Sequence, residues 1–135
     1  MHLILAGRPI TKKNSQKIIT NMKTGRPMVI PSEQYRQFES DCLKQITGQF
    51  KKKIARSVMV HALYYMPNRV SWPDLTGLME STADILQKAE VLENDRHITS
   101  WGRSRIVGID KINPRTEIYI EADNHELTER TVAIQ

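Results

Sequence analysis

The alternation of apolar and polar positions divides the chain into short strands and two helices. Apolar runs bounded by turn residues are typical of strands. A hairpin is expected around Thr24-Gly25, which separates two such runs. The predicted strands cover residues 3–6, 18–20, 27–30, 57–66, 97–107 and 116–122.

Two longer segments repeat their apolar residues at helical spacing. The first helix should open at Pro31-Ser32-Glu33, where Ser32 can serve as the N-cap, and should end near Gly48. The second should run from Pro73-Asp74 to about Ala89. Its core-facing stripe comprises Leu75, Leu78, Thr82, Leu86 and Ala89. The pattern predicts one small α/β (α+β) domain over residues 1–135, with a mixed β-sheet, two main helices and a polar tail after about residue 123.

Composition narrows the protein class. With 135 residues, of which 39% are hydrophobic and 26% charged, the chain fits one globular domain and excludes collagen, a coiled coil and wholesale disorder. No apolar run approaches the roughly 18 residues that cross a bilayer, so no membrane partner is expected. Residues 1–7 do not resemble a secretory signal. A single cysteine, Cys42, excludes an intramolecular disulfide and favours a reducing, cytoplasmic compartment.

Charge is distributed unevenly along the chain. Residues 1–69 contain 13 Lys and Arg against 3 Asp and Glu, whereas residues 70–135 contain 7 against 12. A basic segment suits a polyanion, since phosphate contacts release counterions. An acidic segment is either solvated surface or a place for divalent cations. A protein that holds both DNA and Mg²⁺ would need both halves.

Carboxylates cluster on and after the second helix. Glu80 and Asp84 lie one turn apart on the side away from the apolar stripe, Asp74 lies at the helix start, and Asp95 precedes the next strand. Oxygen ligands with few histidines favour Mg²⁺ or Mn²⁺ over zinc. The alternative is that Asp74 is an ordinary N-cap and the other acids are solvated surface.

At these residues the chain resembles the RusA family of Holliday-junction resolvases. The family pattern is Pro-Asp-x-Asp-Asn-x-x-Lys, then Asp-x-Leu in the same helix, then Asp-Asp before a strand. The matching segments here are Pro73-Asp74-Leu75, Asp84-Ile85-Leu86 and Asn94-Asp95, together with the basic loop Gly7–Ser15 and the stretch Asn113–Ile118. The resemblance extends from about residue 3 to residue 121.

The resemblance implies a Mg²⁺-dependent endodeoxyribonuclease, with Mn²⁺ as a possible substitute, that acts as a homodimer on four-way DNA junctions. Asp74 and Asp95 would be catalytic, metal-binding carboxylates. Asp84 is expected as a further metal ligand on its spacing alone, because a cation between Asp84 and Glu80 would remove the repulsion of two like charges one turn apart. Two positions depart from the family: Thr76 replaces its second acid, and Glu80 replaces its lysine. Since Thr76 and Glu80 share a helix face, our hypothesis is that Glu80 supplies the missing catalytic carboxylate. Lys88 or the Lys12-Lys13 loop would then supply the missing cation.

Basic residues outside the helix are expected to contact backbone phosphates, which position DNA without reading its sequence. The predicted contacts are Lys12, Lys13, Asn14, Lys17, Lys51, Lys52, Lys53, Arg103 and Arg105. Positive charge after the first helix also suits a helix C-terminus, which is an alternative role for the three consecutive lysines.

Two functions remain open from the sequence. The first is a structure-selective endonuclease that resolves junctions by paired nicks during recombination, repair or phage replication. The second is a junction-binding or regulatory protein with a weakened metal site, which the changes at Thr76 and Glu80 favour.

Overall fold

A computed structural model describes residues 1–12 and 16–124 of the chain. The predicted architecture, a mixed sheet with two main helices, is confirmed. The strands are β1 (His2–Ala6), β2 (Gln16–Thr20), β3 (Pro27–Pro31), β4 (Val58–Met66), β5 (Ile98–Ser100), β6 (Arg105–Ile109) and β7 (Arg115–Ala122), and the helices are α1 (Glu33–Gln45) and α2 (Leu75–Lys88). Short 3₁₀ turns cover Gly48–Phe50 and Asp95–His97.

Strand β4 is the centre of the main sheet. β7 pairs with it antiparallel along its length, and β1 pairs antiparallel with the far side of β7. On the other side of β4, β5 and then β6 pair parallel to its two ends. Strands β2 and β3 form a separate two-stranded hairpin that turns near Thr24-Gly25, as predicted.

The core lies between the sheet and the two helices. Alternate residues of β4, from Val58 to Met66, are buried on this side, and so are Ile118 and Ile120 of β7. The predicted stripe of α2 packs here, with Leu78, Leu86 and Ala89 almost fully buried. The intervening residues of β4 and β7 therefore face the opposite side of the sheet, which we call the outer face.

The expected continuous strand over residues 97–107 is wrong. Between β5 and β6 the chain leaves the sheet in a turn, Trp101–Ser104. In this turn a side chain takes over a hydrogen bond that a neighbouring strand would make: Ser104 Oγ accepts from the Ala62 N–H of β4 at 2.9 Å. The Arg103 N–H donates to His61 Nδ1 at 2.8 Å. We call Trp101–Ser104 the edge turn.

Candidate functional site

Two of the predicted catalytic carboxylates, Glu80 and Asp95, line a single cavity of about 260 Å³. Helix α2 forms one wall with residues at helical spacing, and the chain from the 3₁₀ turn to the edge turn forms the other. The remaining lining residues are Thr76, Met79, Ala83, Ile98 and Trp101. Thr76 and Glu80 thus share this face, as their spacing predicts.

A side chain that the sequence analysis did not consider holds Asp95 against α2. Gln87 Oε1 accepts a hydrogen bond from the Asp95 N–H at 2.9 Å. Asn94 caps the 3₁₀ turn, since its Oδ1 accepts from the Arg96 N–H at 2.9 Å. Gln87 lies seven residues after Glu80, so helical periodicity already places both side chains on one face.

Neither carboxylate in this cavity is neutralised by a neighbour. Both side chains are exposed, and among the side chains described for residues 1–12 and 18–124 no Lys, Arg or His nitrogen lies within 4 Å of either one. Two carboxylates that line one cavity without counterions favour the approach of a small hard cation.

The two carboxylates of the cavity, Glu80 and Asp95, are ligands of the type that magnesium binds. Mg²⁺ commonly keeps several waters and binds through one or two carboxylates together with substrate phosphate oxygens. The part of the chain that the structure describes contains no group of three or more His, Cys, Asp or Glu side chains that could hold a metal. Glu80 and Asp95 are the two carboxylates of this cavity that could hold such an ion.

Asp74 lies outside this cavity. It is the N-cap residue of α2, but its side chain makes no capping hydrogen bond. The carboxylate instead lies over Gly77, where an added Cβ would come within 2.7 Å of Asp74 Oδ1 and 3.2 Å of Thr11 Cγ2. The structure thus brings together two of the three predicted catalytic acids and places the third along the flank of the helix.

Asp84 belongs to a contact between the two helices. Its Oδ2 lies 3.2 Å from Lys88 Nζ, which also donates to both carboxylate oxygens of Glu39 at 3.0 and 3.1 Å. Partial burial lowers the pKa of Lys88, but its bonds to Glu39 and Asp84 outweigh this effect and raise it overall. Lys88 is therefore held by two carboxylates away from the cavity.

The predicted DNA-binding lysines occupy different surroundings. The loop after β1 is anchored on α2, because the Lys12 N–H donates to Ser81 Oγ at 3.2 Å. Lys13 and Asn14 lie outside the described residues, as does the side chain of Lys17 in β2.

The three consecutive lysines do not form one uniform patch. Lys51 Nζ donates to the Ala89 carbonyl at the end of α2, at 3.1 Å, and Lys53 lies 3.9 Å from Glu90. These two lysines thus complement a helix C-terminus, although it is that of α2 rather than of α1. The Lys52 side chain is exposed.

A second cavity, of about 340 Å³, lies beside the N-terminus of α2. The loops that precede β2 and α2 form it together with Gln34 of α1, and Arg8 and Trp72 are among its lining residues. The Arg8 guanidinium donates to the Val70 carbonyl at 3.0 Å, which joins the two loops. Trp72 is 40% exposed, so its ring is available to a ligand as well as to packing.

The two remaining predicted contacts, Arg103 and Arg105, lie on the outer face of the sheet. Both are exposed and line a groove of about 510 Å³. Arg103 belongs to the edge turn, and Arg105 is opposite Leu63 in the pairing of β6 with β4.

Comparison with known proteins does not identify the chain: no family model matches it, and no curated protein matches it significantly. Within the described ranges, no helix combines the length and the apolar character that a membrane span requires.

Proposed function

We propose that the chain is a Mg²⁺-dependent endodeoxyribonuclease that cuts branched DNA, with the four-way junction as its substrate. The observation that carries the proposal is the pair Glu80 and Asp95, which line one cavity without a neutralising cation among the described residues. The basic loop anchored on α2 and the exposed Trp72 supply neighbouring surfaces for a phosphate backbone and an unpaired base.

In this proposal Glu80 and Asp95 bind the ion, and Gln87 keeps Asp95 oriented through its backbone bond. Magnesium, when bound, supplies Lewis acidity toward a phosphodiester oxygen. Thr76, one turn before Glu80, contributes a hydroxyl to the same wall, and the Trp101 side chain lines the opposite wall. Glu80 thereby takes the place of an acid at position 76. A homodimer would present two such sites, one for each of two opposed strands.

The test is cleavage of a synthetic four-way junction by Glu80→Gln and Asp95→Asn variants, with Mg²⁺ or Mn²⁺. We expect each substitution to reduce cleavage on the order of 100-fold or more, because each removes a charged ligand at the reacting centre. Glu93→Gln is the matched control, since this nearby carboxylate is exposed but does not line the cavity. Cleavage by Glu80→Gln at the wild-type rate would refute the role of Glu80.

A second candidate is a junction-binding protein that does not cut. It is favoured by the position of Asp74 outside the cavity and by the lack of a three-ligand metal group within residues 1–12 and 16–124. Gel-shift measurements with Ca²⁺ separate the two functions. Tight junction binding by the wild-type chain, with no product under either Mg²⁺ or Mn²⁺, would establish the second.

A further inference from the structure

The outer face of the sheet carries a groove of about 510 Å³, which is separate from the cavity of Glu80 and Asp95. Its lining residues are His61, Leu63, Arg103, Arg105, Tyr119 and Glu121. Strand register places them together, because His61 is directly opposite Tyr119, and Leu63 lies between β6 and β7 opposite Arg105. The volume falls in the range of about 300–1,000 Å³ that is typical of small-ligand sites.

Both guanidiniums in this groove are unpaired. Throughout the described part of the chain, no carboxylate oxygen lies within 4 Å of Arg103 or Arg105. Arg115, on the same face, is different: it bonds Asp110 at 2.8 Å and Glu117 at 2.9 Å. Two unpaired guanidiniums in one groove form a strong site for phosphate, which they can bind through paired N–H donors.

A flat aromatic surface adjoins the guanidiniums. The rings of Tyr119 and His2 stack with their centroids 4.1 Å apart and their planes at 9°. Tyr119 is 38% exposed and lines the groove, so the stacked pair presents a rigid platform. Aromatic platforms beside cationic groups are the usual means of binding single-stranded nucleic acid.

We propose that this groove binds an unpaired stretch of single-stranded DNA, with Arg103 and Arg105 on its phosphates and a base against Tyr119. The inference rests on the proposed function, in which DNA is the substrate. A single strand suits the groove better than a duplex, because a base can stack on Tyr119 only when it has left the base-pair stack. The volume is also that of a nucleotide-sized ligand.

The edge turn connects the groove with the candidate active site. Trp101 lines the cavity of Glu80 and Asp95, while Arg103, two residues further, lines the groove. The bond from the Arg103 N–H to His61 Nδ1 fixes the turn from the outer face. A strand that leaves the cavity around this edge of the sheet would therefore meet Arg103 next.

Glu121 provides a diagnostic feature of the groove. Its carboxylate lies 3.3 Å from His61 Nε2 and remains 62% exposed. A negative charge at this position repels a bound phosphate. Its removal should therefore strengthen binding if the phosphate lies in the groove, and should have no effect if DNA binds elsewhere.

The test measures binding by fluorescence anisotropy of a labelled oligothymidylate of about 15 nucleotides. EDTA is present throughout, so that the result is independent of cleavage. We expect Arg103→Ala/Arg105→Ala to weaken binding about 10-fold and to reduce the slope of log K against log salt by about 1 to 1.5. Arg36→Ala/Lys44→Ala is the matched control, because it removes two exposed charges from α1.

Further variants test the arrangement within the groove. Tyr119→Leu should weaken binding about 5- to 10-fold while Tyr119→Phe retains it, because only a flat ring stacks on a base. Glu121→Gln should tighten binding about 2- to 3-fold. Thermal unfolding of each variant checks that the sheet remains intact.

Equal affinity and equal salt slope for the two double variants would overturn the proposal, whatever the outcome of the cleavage assay. A sedimentation shift to monomer in Arg103→Ala/Arg105→Ala, with oligothymidylate binding unchanged, would also overturn it. That result would assign the groove to contact with a second copy of the chain. Conversely, failure of the chain to cut DNA leaves the binding result interpretable.

Discussion

The Tyr64 hydroxyl is buried between β4 and α2, and Thr82 is its hydrogen-bond partner. Tyr64 Oη lies 2.6 Å from Thr82 Oγ1, and Thr82 Oγ1 donates its own hydrogen to the Leu78 carbonyl at 2.9 Å. Because the threonine hydroxyl has one hydrogen, Tyr64 must be the donor toward Thr82. Burial among these groups raises the pKa of the Tyr64 hydroxyl.

Because Tyr64 donates and Thr82 accepts, substitutions of the two residues should lower the free energy of unfolding by unequal amounts. Tyr64→Phe should cost about 0.5–1.5 kcal/mol, because Thr82 keeps its bond to Leu78. Thr82→Val should cost about 1–3 kcal/mol, because it leaves the buried Tyr64 hydroxyl without an acceptor. Urea denaturation followed by circular dichroism measures both. A Tyr64→Phe/Thr82→Val variant should be less destabilised than the sum of the two, and strict additivity would contradict the assigned direction.

Single residues also show how far the sequence could predict the candidate site. Glu80 was expected because the family resemblance leaves an acid missing at Thr76 and the two positions share a helix face, and both residues do line one wall of the cavity. Asp74 was expected at the start of α2 and is its N-cap residue, but the sequence pattern did not predict that its carboxylate would lie over Gly77 instead of capping the helix. Helical periodicity also places Gln87 on the face of Glu80, but an uncharged side chain gives no sequence signal that it orients Asp95.

At the scale of elements, the sequence predicted those helix and strand ends that depend on residues close together in the chain. Ser32 was expected to cap α1, and its Oγ does accept from the Tyr35 N–H at 3.2 Å. The break in the segment 97–107 has a different origin. The edge turn is stabilised by Ser104 and His61, whose partners lie about 42 residues apart in sequence. Apolar periodicity contains no information on such a contact, and so a continuous strand was predicted.

The edge turn depends on close contact between Gly102 and His61. A Cβ built on Gly102 would overlap the imidazole of His61. We therefore expect Gly102→Ala to destabilise the fold by about 1–3 kcal/mol, because the ring must move and lose its bond to the Arg103 N–H. Thermal and urea unfolding measure this change.

The matched control is His61→Ala/Gly102→Ala. The smaller side chain at position 61 removes the overlap, so the added methyl group should cost much less in this background than in the wild type. A Gly102→Ala penalty that is the same in both backgrounds would show that the glycine is required for its backbone and not for its contact with His61.

At the scale of the whole molecule, the division of the sequence into a basic and an acidic half does not describe which charges are free, because several charged groups in each half are bound to partners in the fold. Lys51 and Lys53 of the basic half complement the end of α2. In the acidic half, Asp110 and Glu117 are bound to Arg115. Counts along the sequence thus overstate the free charge of both signs. Among the described groups without an ion pair are Glu80 and Asp95 in the cavity and Arg103 and Arg105 in the groove, and these four carry the functional proposals.

Stability at alkaline pH follows from three groups buried in the protein. Burial, together with Asp41 and Glu39, raises the pKa of Cys42 from an ordinary value near 9 to about 12. Burial likewise raises the pKa values of Tyr35 and Tyr64 above their ordinary value of 10.0. In each case the unfolded chain loses its proton at lower pH than the folded chain does. Between pH 9 and 12 the unfolded state therefore binds fewer protons, and stability falls as pH rises.

We expect the melting temperature to change little between pH 7 and 9 on account of these groups, and to fall progressively above pH 9. Cys42→Ala should lower stability at pH 7 by about 1–2 kcal/mol, because it leaves a small cavity. The variant should nevertheless lose less stability than the wild type between pH 9 and 10, because the thiol, with the lowest ordinary pKa of the three groups, contributes most in this range. The native thiol, which is fully buried, should also react with a maleimide at pH 8 far more slowly than in urea. Identical pH profiles for the two proteins, or rapid labelling of the folded chain, would show that Cys42 is accessible to solvent.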